Sequence, residues 1–160
     1  MPGGHEILKR YGRGLKNPAW VSFIWFGMSA GISLLETPVK FTAPTVTREI
    51  ALDVGRVVFA ALNKAEFAAL ILLLVLVRVS GRAREFILAC SALALIMIAQ
   101  AVWLLPELSA RTLQIVEGIE PGPSMAHAAF SVLQLLKLVL LLYIGFRSMA
   151  VAVEERIETP

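Results

Sequence analysis

Cysteine occurs once in the 160 residues, as Cys90, and histidine twice, as His5 and His127. A single thiol inside an apolar run excludes a disulfide framework and cysteine-spaced metal binding, which leaves Cys90 as a small packing residue. Charge is scarce too: Asp, Glu, Lys and Arg make up 17% of the chain, against about a quarter in soluble domains. No polar stretch is long enough to form a separate soluble catalytic domain. The net charge of +3 and pI of about 9.4 do not point to nucleic acid, because most Lys and Arg sit in short segments that flank apolar runs.

What is abundant is apolar sequence. The hydrophobic fraction is 58% and the mean hydropathy +0.75. About twenty apolar residues are enough for a helix to cross the hydrocarbon layer, and four runs reach that length. They predict spans over residues 18–35, 56–77, 86–105 and 124–146, bounded by charge or proline. The expected fold is all-α: one polytopic membrane domain, a left-handed four-helix bundle, with two amphipathic segments on the outer side. The first run follows a basic tail, as a secretory signal does. It is long, however, and Met28 and Ala30 make a poor cleavage site, so it is expected to stay as a packing partner.

Pro18 suits the first turn of span one, and Trp20 and Trp25 near its start suit the membrane interface. Gly27 and Gly31 form a small-xxx-small pair for helix packing, either within the chain or between subunits. Pro38 and Pro44 are expected to interrupt the helix and bound a loop. From Thr45, Val46, Ile50, Val54 and Val57 recur at helical spacing, giving an amphipathic helix that lies on the membrane or leads into span two. Arg78 to Glu85 is a tight hairpin around Gly81. After Trp103 and Pro106, a second amphipathic pattern (Leu108, Ile115, Val116, Ile119) ends at Gly118, Pro121, Gly122 and Pro123, with Ser124 as N-cap of span four. No internal repeat is evident.

Nine Lys and Arg fall on the side of the two tails and the middle linker, and four, Lys40, Arg48, Arg56 and Arg111, on the other. Cationic loops resist translocation, so both termini are expected in the cytoplasm. The two remaining cations, Lys64 and Lys137, lie inside spans.

A charge at mid-bilayer costs about 2.5–3.5 kcal/mol even on the lenient insertion scale, so polar residues within the spans are the candidate site. These are Asn63 and Glu66 in span two, Gln100 in span three, and His127, Gln134 and Lys137 in span four, with Glu36 at the outer end of span one. Glu66 and Lys137 fall at similar depth and are expected to pair. Lys64 points away from Glu66, free to snorkel or to face another subunit. Together the set outlines an outward-facing polar pocket, which is either a hydrogen-bonded network that fixes helix register or a path for an ion, proton or small solute. His127 alone is a weak metal or haem candidate, since no second ligand of comparable quality accompanies it; no cofactor is expected. Ser124 and Ser131 lack the acid and oxyanion partners of a nucleophile, so no enzymatic activity is expected.

The segment from Glu36 through Lys40 and Phe41 to Pro44, followed by Gly55, Arg56, Phe59, Leu62, Asn63 and Glu66, reads E-x-P-x-K-F-x-A-P then G-R-x-V-F-x-x-L-N-x-x-E. It resembles a group of small uncharacterised bacterial integral membrane proteins. The resemblance covers about the first half of the chain and implies four spans, a bacterial inner membrane and no established activity. It also implies that Glu36, Lys40, Arg56, Asn63 and Glu66 form one constellation. Pro38 argues against a helical Glu36–Lys40 pair, so a turn bending Lys40 and its loop onto Arg56 is expected. The functional expectation is a membrane protein that acts by association with other subunits or itself; a small transporter or channel is the alternative.

Overall fold

The structure is a computed structural model that describes residues 14–158, with side chains through Glu154. The basic residues Lys9, Arg10 and Arg13, together with His5, lie outside that description, as does the side chain of Arg156. Four long helices make up almost all of it: α1 (Ala19–Lys40), α2 (Arg48–Val79), α3 (Ala83–Val116) and α4 (Ala126–Glu158). Each is long and apolar enough to cross a membrane. The start of α1 and the α2–α3 linker meet α4 at one end of the bundle, where Asn17 Nδ2 and Arg82 Nη1 donate to the Ser148 carbonyl at 3.3 and 3.0 Å.

The helix ends follow local chemistry. Thr47 is extended and its hydroxyl accepts from the Ile50 N–H, capping α2. Gly81 (φ 75°) and Gly118 (φ 79°) take the left-handed conformation that stops α2 and α3. In both, the next residue's N–H reaches back five residues, Arg82 to the Val77 carbonyl and Ile119 to the Gln114 carbonyl. Ser124, expected to cap α4, accepts from the Ala126 N–H at 3.1 Å and donates to Glu107 at 2.7 Å.

Two helices run further than expected. Pro38 does not end α1, and Pro106 does not end α3. Each proline is preceded by a π-helical stretch, Gly31–Glu36 in α1 and Gln100–Leu104 in α3. Thr37 N–H donates to the Ile32 carbonyl and Leu105 N–H to the Gln100 carbonyl, five residues back instead of four. The wider turn moves the carbonyl that the proline ring would otherwise strike, so the helix passes through. The loop expected between Pro38 and Pro44 therefore begins only after Lys40, and the amphipathic segment after Pro106 is the continuation of α3 itself. The amphipathic turns from Arg48 likewise run unbroken into α2.

Helix α1 packs chiefly against α4, and α2 against α3. The main apolar cluster joins Trp25, Leu73, Phe86, Leu93, Leu141 and Ile144; a smaller one joins Leu104, Ala126 and Phe130, with Phe59 edge-on to Phe130. Along α2, α3 and α4, polar residues separate the two clusters. Gly27 and Gly31 are exposed and a Cβ on either would touch nothing within 4 Å, so they pack no helix among the described residues. The close approach is at Gly145, where a Cβ would lie 2.8 Å from the ring of Phe23, itself edge-on to Phe146 at 5.2 Å. Gly145→Val is expected to lower the stability of the purified chain by about 1–3 kcal/mol through overpacking. Gly27→Ala and Gly31→Ala should leave it unchanged or raise it by a few tenths of a kcal/mol. Thermal unfolding in detergent measures both, and equal losses at Gly27 and Gly145 would refute this account of the packing.

Candidate functional site

Inside an apolar bundle a carboxylate and an ammonium have few stable arrangements: they must meet, and their remaining hydrogen-bonding positions must be filled. Lys137 Nζ lies 2.7 Å from Glu66 Oε2, joining α4 to α2 as expected. Both side chains are almost wholly buried, Lys137 at 0% and Glu66 at 2% residue exposure. The other carboxylate oxygen, Oε1, accepts from Ser29 Oγ at 2.5 Å and Trp25 Nε1 at 3.2 Å, both on α1. The ammonium also donates to Gln100 Oε1 on α3 at 2.9 Å, with Met97 Sδ at 3.9 Å.

The chain of bonds continues away from the ion pair. Gln100 Nε2 donates to Gln134 Oε1 at 3.1 Å, and Gln134 Nε2 donates to Ser33 Oγ at 2.9 Å. One connected network thus takes residues from all four helices and carries no net charge. Trp25, Ser29 and Ser33 sit at four-residue spacing on α1, which places three polar groups on one helix face. Lys137 and Gln134 are three apart on α4, and Met97 and Gln100 three apart on α3. Ser33 and Gln100 lie in the two π-helical stretches, so each wider turn contributes a side chain to the network.

Glu66, Lys137, Gln100 and Gln134 therefore come together, but three other expected members of the pocket do not. Glu36 pairs with Lys40 at 3.5 Å, one helical turn away, because α1 continues through Pro38. Asn63 is half-buried and makes no hydrogen bond among the described residues. His127 is exposed on α4, its carbonyl accepting from Ser131 while the ring joins no network. The outward-facing pocket is not assembled; what forms is a closed network between the two apolar clusters. Among the described residues no three His, Cys, Asp or Glu converge to hold a metal ion.

The constellation of Lys40 and Arg56 is met only halfway. Lys40 lies across α2, its Nζ 2.7 Å from where a Cβ on Gly55 would be, but Arg56 pairs with Asp53 at 2.7 Å. Trp25, expected at the interface, is instead 0% exposed against Glu66. An indole near a span's start ordinarily marks the interface, and serines in a span ordinarily read as small packing residues, so neither Trp25 nor Ser29 and Ser33 stand out in the sequence. The four-residue spacing of three hydrogen-bonding side chains was the available signal. Lys64 is exposed and makes no ion pair among the described residues. The chain matches no family model, no curated protein and no solved structure; what the structure carries is four long apolar helices.

Proposed function

We propose that this protein is a non-enzymatic integral membrane subunit that acts by association, as an accessory or assembly component of a membrane complex or as an oligomer. The setting is a bacterial inner membrane, with both termini and the Arg78–Glu85 linker in the cytoplasm, as the distribution of Lys and Arg favours. The observation that supports it is the closure of the polar network. Glu66 and Lys137 neutralise each other, and Trp25, Ser29, Met97 and Gln100 fill their remaining positions. Such a network holds four helices in one register and leaves no unpaired charged group of its own for a passing solute. A rigid bundle whose exposed surface is largely apolar then offers that surface to neighbours.

Extraction from its own membrane in mild detergent, followed by native mass measurement, tests the reading. The expected species is a complex or oligomer heavier than the 17.4 kDa chain. A strictly monomeric, partner-free species, or reconstituted vesicles with a solute or proton flux abolished by Glu66→Gln, would overturn it in favour of a small transporter.

A further inference from the structure

Lys64 stands apart from every other charged side chain in the apolar runs. Glu66 and Lys137 are buried against each other, whereas Lys64 is exposed on the outside of α2 and has no ion pair among the described residues. It lies eight residues from Arg56 and fourteen from Arg78, or ~12 Å and ~21 Å along the helix. Those two arginines bracket the apolar run, so the Lys64 backbone sits well inside a hydrocarbon layer about 30 Å thick. Its neighbours on the same face, Ala60, Ala61 and Ala68, are exposed and small, as is the adjacent Ala65. They let another helix backbone come close, and they offer the ammonium no polar ladder toward either surface.

We infer that this face of α2 docks a transmembrane helix of a different polypeptide that presents an aspartate or glutamate at the level of Lys64. The inference rests on the association reading and names the chemistry of the partner. Charge complementarity selects the occupant: an ammonium at this depth is stabilised by a carboxylate, as Lys137 is by Glu66 at 2.7 Å. A second copy of the chain does not supply one. Symmetric pairing of two α2 faces would set Lys64 against Lys64, and of the acids nearest its level Glu66 is already consumed inside the bundle and Glu36 is held by Lys40.

Zero-length coupling with a membrane-permeant carbodiimide, in the membranes of cells that make the protein, reads the contact directly. The expected product is an amide between Lys64 Nζ and an Asp or Glu of a second polypeptide, identified by peptide mass spectrometry. Lys64→Leu should lower the yield of the complex at least tenfold and Lys64→Arg should preserve it. Neither should shift the melting of the isolated chain, because the side chain has no polar partner within it.

If the complex survives Lys64→Leu at full yield, association stands and this docking face falls. The face also falls if Lys64 couples only to a carboxylate of its own chain, or is modified in sealed membranes by a water-soluble amine reagent, which would mean that it snorkels to the headgroups. Absence of any complex in the unaltered protein ends both readings.

Discussion

Replacing Lys137 by Met is expected to destabilise the bundle by about 3–5 kcal/mol, more than any other single change to the network, because it strands the Glu66 carboxylate in an apolar interior. Glu66→Leu should do comparable damage from the other side, leaving the Lys137 ammonium with only Gln100 Oε1 and Met97 Sδ. The informative variant is the double one. With both charges gone, no uncompensated ion remains, and the apolar replacements border the cluster that holds Leu70, Met97 and Leu141, with Met97 Sδ already 3.9 Å from Lys137 Nζ. The double variant should therefore be more stable than either single variant, recovering about half or more of the loss. The residual deficit has an identifiable source: the Trp25 N–H, the Ser29 hydroxyl and the Gln100 carbonyl each lose a partner. Reversible unfolding in mixed detergent micelles measures all three variants. A double variant no better than the worse single one would show that these residues do not stabilise the fold as a pair.

The same physics explains what could be read from the chain alone. A carboxylate and an ammonium inside apolar runs are too costly to leave apart, so Glu66 and Lys137 identify each other without coordinates. Gln100 and Gln134 follow, since amides at that depth need partners. Rotation about the helix axis was harder to read. Buried positions on α2 include Leu62, Glu66, Leu70 and Leu73, and Asn63 stands a full residue step of about 100° from Leu62. His127 is displaced in the same way from buried Ala126. A three-residue step from Glu66 to Asn63, or a seven-residue step from Gln134 to His127, puts a side chain near the network face, but only packing decides whether it reaches the network.

Proline misled for a related reason. Pro38 and Pro106 read as helix ends, which is what a missing N–H and a clashing ring dictate for a regular α-helix. A π-helical turn just before the ring moves the clashing carbonyl and keeps the helix going. That turn also changes the phase of everything after it. It puts Glu36 and Lys40 one turn apart on a continuous helix, 3.5 Å from contact to contact, instead of folding a loop onto Arg56. No residue in GISLLE or QAVWL announces a π stretch in advance; the signal is the proline that follows.

Trp25→Ala is expected to be the most damaging substitution outside the ion pair, and a comparison with Trp25→Phe separates its two contributions. The indole is 0% exposed in the main apolar cluster and donates to Glu66 Oε1 at 3.2 Å. In lipid the transfer of apolar surface contributes little, because acyl chains are as apolar as the bundle interior. What remains is the lost packing around an empty volume, which puts Trp25→Ala at about 3 kcal/mol, the low end of the range for aromatic truncation in water-soluble cores. The hydrogen bond is the smaller part: interhelical bonds in membranes average about 0.6 kcal/mol and reach about 1.7. Trp25→Phe keeps most of the ring and loses the donor, so it should cost about 1 kcal/mol, and Ser29→Ala a similar amount from the other donor to the same oxygen. Removing both donors should cost more than the two losses added together, since Glu66 Oε1 would then accept from nothing on α1. Unfolding free energies of the three variants and the double one decide the matter. If Trp25→Phe proves as harmful as Trp25→Ala, the network rather than the packing holds α1 against α2.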